Sequence, residues 1–299
     1  MTRAISPRRL TTRLLFVVPF AALLYIPFTG LAAAFAPGLG SAAGFAALAG
    51  GPADGAVTCT GSDITGDVGV IDPGTFKETD CTLTGTVEDA TQPYADFLWA
   101  YGQLQSNAAC DQTLTGTLAG VTLPPGVYCF TAAATLTGTL TLDGPADGVW
   151  IFKIGTGGTG ALTGTSFTVV MAGDAAGTKC PNVYWWVAQD ATLTTSFFQG
   201  TILAGADITT TGATFIGEAL AGGTGTTDIP TGAVTFTGGS TVSGCSATGG
   251  PVVFGGLKCN QGVGNGPEGC DPGNSNNHNA SNDELGGKRG DPGRKIGNR

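Results

Sequence analysis

A short threonine-rich repeat limits what this chain can fold into more than any other feature. The segment Thr-Leu-Thr-Gly-Thr occurs three times and related segments occur four more times, with starts 15 to 31 residues apart. The seven copies lie at residues 82–86, 113–117, 135–139, 161–165, 192–196, 207–211 and 233–237. Spacings of this size are typical of one turn of a solenoid whose loops vary in length. The repeat therefore predicts a mostly β chain wound into stacked coils.

Alignment of the copies on their apolar second residue places hydroxyl side chains in two columns. The apolar column is Leu83, Leu114, Leu136, Leu162, Leu193, Ile208 and Val234. The first hydroxyl column is Thr84, Thr115, Thr137, Thr163, Thr194, Thr209 and Thr235. The second is Thr86, Thr117, Thr139, Thr165, Ser196, Thr211 and Thr237.

Alternation along a strand turns both hydroxyl columns to one face and the apolar column to the other. Coils stack about 4.8 Å apart, so the prediction is a flat hydroxyl grid, two side chains wide and seven deep. A Gly between the two columns would let the strand bend and divide them between two faces.

One segment has helical rather than strand periodicity. In residues 91–108, apolar side chains recur at three- and four-residue spacing. They are Tyr94, Phe97, Leu98, Tyr101, Leu104 and Ala108. We expect this stripe to be packing surface for a single long helix.

The composition argues against most catalytic and nucleic-acid-binding functions. Residues 37–277 contain neither Arg nor His, and only 12% of the chain is charged. Histidine is the commonest general base, and arginine is the usual bidentate clamp for anions. The net charge of -9 disfavours binding to nucleic acid. The carboxylates are scattered singly, so we predict a non-enzyme without cofactor or metal.

The two ends of the chain differ from its middle. Residues 1–36 carry four Arg, an apolar run and small residues, as in a secretory signal. Residues 37–250 would form the solenoid, and the Gly- and Asn-rich residues 251–299 a largely disordered tail. We therefore expect a secreted, extracellular or cell-surface protein.

Eight cysteines in an exported chain indicate disulfides, although spacing alone does not fix their connectivity. Pairing of nearest neighbours is the simplest arrangement. It gives Cys59–Cys81, Cys110–Cys129, Cys180–Cys245 and Cys259–Cys270. A zinc site is the alternative, but the chain has no Cys-x-x-Cys pair and a single His.

Several longer segments resemble the microbial ice-binding protein family. They are residues 39–50, 64–70, 91–108, 123–130, 148–155, 182–187 and 200–221. The resemblance implies a right-handed discontinuous β-solenoid of triangular cross-section, with one long α-helix alongside and the N-terminal coil packed beside the C-terminal one. It also implies export. Glu218 stands where members often carry Arg, and we expect this to change a surface contact.

Three functions remain open from the sequence. The threonine columns would bind the surface of an ice crystal, which inhibits its growth and recrystallisation. A cell-surface structural or adhesive solenoid without ice affinity is the main alternative, because stacked Thr columns can also serve only to solvate the face of a sheet. A carbohydrate-active enzyme is the third, with Trp99, Trp150, Trp185 and Trp186 as a sugar platform, although core packing suits Trp in apolar strands better. We expect a monomer with ice as its partner and no nucleic acid.

Overall fold

The described part of the chain consists of short parallel strands that wind into coils, with one α-helix alongside. The computed structural model describes residues 36–50, 55–72, 74–107, 109–173, 180–225 and 232–245. Residues 1–35 of the proposed leader, the proposed tail, the pair Cys259–Cys270 and Ala108 lie outside these ranges. Within the described part of the chain, no helix is both long and apolar enough to cross a membrane.

The helical segments are α1 (Thr91–Asn107) and two short 3-10 turns at Gly40–Gly44 and Cys180–Asn182. The strands are β1 Phe45–Ala49, β2 Val57–Thr60, β3 Asp63–Thr65, β4 Asp67–Val70, β5 Phe76–Thr79, β6 Thr82–Thr84, β7 Val87–Asp89, β8 Gln112–Thr113, β9 Val121–Leu123, β10 Gly126–Phe130, β11 Ala134–Leu142, β12 Trp150–Ile154, β13 Leu162–Met171, β14 Val183–Val187, β15 Ala191–Thr194, β16 Phe197–Gln199, β17 Thr201–Ala204, β18 Ile208–Thr211, β19 Thr214–Ile216, β20 Ala219–Ala221, β21 Val234–Thr237 and β22 Thr241–Ser243.

Each coil contributes to three faces, which gives the solenoid a triangular cross-section. Face A is the nine-stranded sheet β7-β4-β1-β20-β17-β14-β12-β10-β8. The other sheet folds around a corner into two faces, because β11 and β13 each run across that corner. Face B contains the first halves of β11 and β13, then β15, β18, β21, β2 and β5. Face C contains β9, the second halves of β11 and β13, then β16, β19, β22, β3 and β6.

The coils are not stacked in chain order. Strand β1 pairs with β20 on one side and with β4 on the other. In the same coil β21 lies between β18 and β2, and β22 between β19 and β3. Strand β1, the first of the described strands, therefore completes a coil begun by β21 and β22, the last two described strands. The discontinuous solenoid that the resemblance implied is confirmed.

The core fills the interior of the coils with apolar side chains. Trp185 stacks on Phe152, with ring centroids 3.9 Å apart. The indole nitrogen of Trp150 donates to the carbonyl of Leu123 at 3.1 Å, and that of Trp185 to Gln199 at 3.2 Å. Both side chains are fully buried, so they belong to the core and not to a sugar platform.

Helix α1 covers part of the outer surface of face A. Tyr94, Phe97, Tyr101 and Leu104 are buried, as the stripe predicted. The hydroxyl of Tyr94 donates to the carbonyl of Gly222 at 2.6 Å. Tyr101 packs on Trp186 with centroids 5.2 Å apart, so the second Trp of the adjacent pair faces the helix.

Among the described residues three disulfides hold neighbouring segments together, and they confirm three of the four predicted nearest-neighbour pairs. They are Cys59–Cys81, Cys110–Cys129 and Cys180–Cys245. The third ties the turn before β14 to the residue that follows β22 by two positions.

Glycines make the tight corner between faces C and A. Gly217, between β19 and β20, has φ +154°, and a Cβ there would collide with the carbonyl oxygen of Gly200 in the next coil. Side chains are excluded because successive coils approach closely at this corner.

Replacement of Gly217 by Ala should lower the free energy of unfolding by about 2 kcal/mol or more. The added Cβ would clash with the neighbouring coil, and the positive φ disfavours any side chain. Gly102→Ala is the matched control. Gly102 lies in α1 with no atom near the added methyl, so this variant should gain about 0.5–1 kcal/mol. Urea unfolding of both variants measures the difference, and equal stabilities would contradict the packing described.

Candidate functional site

Face B carries two columns of outward-facing threonines, and the first column is in continuous strand register. The first column, in stacking order, is Thr135, Thr163, Thr192, Thr209, Thr235, Thr58 and Lys77. Two residues further along each strand the second column is Thr137, Thr165, Thr194, Thr211, Thr237, Thr60 and Thr79. Thirteen of these fourteen positions in the described strands are Thr, and Lys77 is the exception.

In six of the seven strands the residue between the two columns is buried, whereas in β5 it is Glu78, which is exposed. Leu136, Leu193, Phe236 and Cys59 are fully buried at this position. Thr210 is the polar member, and its buried hydroxyl donates to Ser240 Oγ at 2.9 Å. Burial of every second residue orients the Thr pairs outward, so core packing holds the hydroxyl grid in place.

A left-handed residue follows the second threonine in each of these seven strands. Their φ angles lie between +46° and +69°. The residues are Gly61, Asp80, Gly138, Ser166, Thr195, Gly212 and Gly238. This residue turns the chain from face B to face C, so the local pattern is Thr-x-Thr followed by a left-handed corner.

Three of the seven predicted pairs occupy the predicted columns. Thr163 and Thr165, Thr209 and Thr211, and Thr235 and Thr237 lie side by side on face B. Thr137 and Thr194 also lie on this face, but in the second column instead of the first.

The other predicted residues lie elsewhere, so the expectation of one register for all seven pairs is wrong. Thr139 pairs with Thr168 on face C, and Thr84 pairs with Thr65 on the same face. Ser196 is buried, and its hydroxyl donates to the carbonyl of Thr194 at 2.9 Å.

Three further predicted residues lie beside or beyond the columns. Thr86 lies past the corner at Gly85, where its hydroxyl donates to Asp67 Oδ1 at 2.9 Å. Thr115 and Thr117 are exposed in the segment after β8, which adjoins β11 through the Thr137 N–H to Thr117 carbonyl bond. These threonines leave the predicted columns because of the Gly inside Thr-Gly-Thr. At Gly85, Gly116 and Gly138 its φ is positive, between +69° and +157°, and the two threonines leave a common strand face.

The alignment also missed six column residues: Thr58, Thr60, Lys77, Thr79, Thr135 and Thr192. The signal that could have found most of them is the corner residue. Residues 57–61 read Val-Thr-Cys-Thr-Gly, and Gly138 likewise follows Thr135-Leu-Thr137. Anchoring the copies on Thr-x-Thr plus a Gly or small polar residue gives the observed register.

Direct hydrogen bonds join some hydroxyls within this grid. The hydroxyls of Thr211 and Thr237 in adjacent coils are 3.2 Å apart. At the corner, the hydroxyls of Ser166 and Thr195 are also 3.2 Å apart. The first contact joins two members of the second column, and the second lies beside the grid; the strand register places hydroxyls and γ-methyls at repeated positions.

The perturbed ionisable groups lie away from face B. Lys153, in β12 on face A, donates to the carbonyl of Gln105 at 3.2 Å, and burial lowers its pKa. It lines a cavity of about 260 Å³ together with Tyr101 and Trp186, and burial raises the pKa of Tyr101. The described residues that line this cavity include no carboxylate.

Among the described carboxylates, Glu218 has the most strongly shifted pKa. It lies just after the Gly217 corner, partly buried, and its Oε2 accepts a 2.9 Å hydrogen bond from the Thr201 hydroxyl. Burial raises its pKa to about 8, against the lowering effect of that hydrogen bond. Its charge in turn raises the pKa of Tyr184, which burial already raises.

The chain belongs to the class of discontinuous β-solenoids that carry an ordered threonine face. The profile of the family described as Ice-binding-like matches residues 42–235, more than half of the chain. The chain is a member of that family.

Similar proteins agree with this assignment. An ice-binding protein of Nostoc sp. (strain HG1) is 40% identical over 168 residues, which cover 54% of this chain and 57% of that protein. The match thus spans little more than half of that relative. The crystal structure of an ice binding protein from an Antarctic biological consortium has TM-score 0.60 and 33% identity, covering 71% of this chain and 92% of that one. The ice-binding protein of Antarctomyces psychrotrophicus has TM-score 0.57 and 33% identity, covering 70% and 98%.

The raised pKa of Glu218 predicts a pH-dependent stability. Between about pH 5 and pH 8 the folded chain holds a proton that the unfolded chain has lost, so stability falls as pH rises, by up to about 1.4 kcal/mol per unit. Glu218→Gln removes the titrating group and should flatten this slope. Urea midpoints measured from pH 5 to pH 8 test the prediction, and identical slopes in both proteins would refute it.

Proposed function

We propose that this chain adsorbs to ice through face B and thereby inhibits ice growth and recrystallisation. The observation that carries the proposal is the stacking of outward Thr pairs in six neighbouring coils, with Lys77 and Thr79 in the seventh. It does not depend on the exact residues that the sequence alignment selected, because Thr135, Thr192, Thr58 and Thr60 replace those that lie off the face.

The geometry of the grid suits a lattice of water molecules. Paired threonines on one strand are about 7 Å apart, and neighbouring coils about 4.8 Å. Both repeats are of the order of oxygen repeats in hexagonal ice. Hydroxyls bond to water while γ-methyls contact it without orienting it around a charge. Individually weak, water-mediated contacts add up when the surface is fixed in advance, because little side-chain entropy is lost on binding.

The names of the similar proteins favour this function over a structural or adhesive solenoid. The Nostoc relative and both solved structures are called ice-binding proteins. The same relationship indirectly supports a protein that is not an enzyme. Its proposed partner is the ice crystal surface, which one copy of the chain would engage without nucleic acid or a further subunit.

We also infer that the protein works outside the cell. The three disulfides among the described residues suit an oxidising compartment, and residues 1–36 have the composition of a secretory signal. Export would bring the grid to ice outside the cell.

A pair of matched substitutions in one coil tests the proposed face. Thr211 on face B and Thr214 on face C are both exposed and three residues apart. Thr211→Tyr places a bulky ring above the grid and should raise the concentration needed for recrystallisation inhibition about tenfold, which is a loss of about 1.4 kcal/mol. Thr214→Tyr should leave activity near that of the parent.

Thermal hysteresis and recrystallisation inhibition measure the outcome, with thermal unfolding as the check on the fold. Equal activity of the parent and Thr211→Tyr would exclude face B. A parent chain without any ice activity would instead favour the structural or adhesive solenoid.

A further inference from the structure

The corner between β21 and β22 is one residue longer than the corners of the two neighbouring coils. It runs over residues 237–241, whereas the paired corners run over residues 211–214 and 60–63. Two successive glycines, Gly238 and Gly239, accommodate the extra residue at φ +64° and +81°. An extra residue of this kind disrupts the ladder of backbone hydrogen bonds beside it.

Strand pairing in the second threonine column stops at this longer corner. Backbone pairs connect Thr165 to Thr194, Thr194 to Thr211, Thr211 to Thr237, and Thr60 to Thr79. Between β21 and β2 the paired residues end one position earlier, at Phe236 and Cys59. The step from Thr237 to Thr60 therefore depends on other contacts.

Two buried serines supply contacts at this step. Ser62 is 4% exposed and Ser240 is 0% exposed. The N–H of Ser240 donates to Ser62 Oγ at 3.1 Å, and the Ser62 hydroxyl donates to the carbonyl of Thr60 at 3.0 Å. The Ser240 hydroxyl donates to the carbonyl of Thr237 at 2.8 Å. Each serine thus holds the main chain of one threonine of the step, and the two serines are bonded to each other.

The Ser240 side chain also bonds to the coil on its other side. Its Oγ accepts from the Thr210 hydroxyl at 2.9 Å and from the N–H of Ala213 at 3.3 Å. The two serines therefore link three successive coils next to the corner. Loss of one buried hydroxyl would leave its partners unsatisfied, so these bonds strongly favour one arrangement of the corner.

The serines join strands from opposite ends of the described chain. Ser62 and Ser240 are 178 residues apart in sequence. Strands β21 and β22 are the last described strands, whereas β2 and β3 follow β1. The chain does not run from β22 into β1, so non-covalent contacts must set how these strands align.

We propose that Ser62 and Ser240 are positioning residues of face B, which hold Thr60 level with Thr237 across the longer corner. This role rests on the proposed adsorption of face B to ice. Without the serine contacts the second column would be displaced at this step. A flat lattice of water molecules would then contact fewer hydroxyls at once.

Recrystallisation inhibition by Ser62→Ala and Ser240→Ala tests this role. Each variant should need about threefold more protein than the parent, because the Thr pairs beside the step would leave the common plane. Tyr101→Phe is the matched control, since it also removes a buried hydroxyl bonded to a main-chain carbonyl, that of Val187 at 3.2 Å, but on face A. It should keep the activity of the parent. Thermal unfolding verifies that every variant is folded at the assay temperature.

A nuclear Overhauser measurement between the γ-methyls of Thr60 and Thr237 separates alignment from stability. It reports the spacing of the two side chains in the folded state, which a lower free energy of unfolding does not change. The cross-peak should weaken about twofold in Ser62→Ala and keep the intensity of the parent in Tyr101→Phe.

Three results would overturn the role of the serines and leave the proposed function intact. They are parental ice activity in both serine variants, a cross-peak as strong as in the parent, and an equal loss of activity in Tyr101→Phe. A parent chain without ice activity would instead overturn the proposed function, and the role of the serines with it.

Discussion

The left-handed corner between faces B and C is the constraint on which the rest of the structure depends. It occurs directly after the second outward threonine in seven strands, at Gly61 and Gly212 for example. Parallel strands keep register only if every coil turns at the same residue, because a slip of one position would exchange the core and solvent faces. The corner therefore sets which hydroxyls align, and the buried residue between each Thr pair, such as Leu193, holds them outward.

Closure of the coils by distant parts of the chain makes this grid rigid. Strand β1 completes the coil begun by β21 and β22, and α1 packs against the face that β1 joins. The disulfide Cys180–Cys245 links the turn before β14 to the residues after β22, and so joins two separate coils. A surface that binds through many weak contacts benefits from such rigidity, since conformational entropy lost on binding would otherwise cancel the gain. The stability of the core and the proposed activity of face B thus have a common source.

The sequence predicted the architecture better than it predicted the candidate site. The solenoid followed from the repeat spacing, and α1 from its apolar stripe. The place of β1 came from the family resemblance, because periodicity says nothing about which coils are neighbours. The predicted register of the threonine columns was wrong where identical sequences have different structures. Gly164 lies inside, where a Cβ would touch Leu193 Cδ2 at 2.8 Å, whereas Gly138 turns a corner at φ +69°. Both occur in Thr-Gly-Thr, and only three-dimensional packing separates them.

Partition of the parent chain between a slowly grown single crystal of ice and the surrounding solution tests most directly whether this solenoid binds ice. A grid of fixed hydroxyls and methyls on face B predicts that the fluorescently labelled protein is incorporated and patterned on particular crystal planes. Exclusion of the protein from the ice, at the level of an ordinary solute, would contradict the function assigned to the threonine columns.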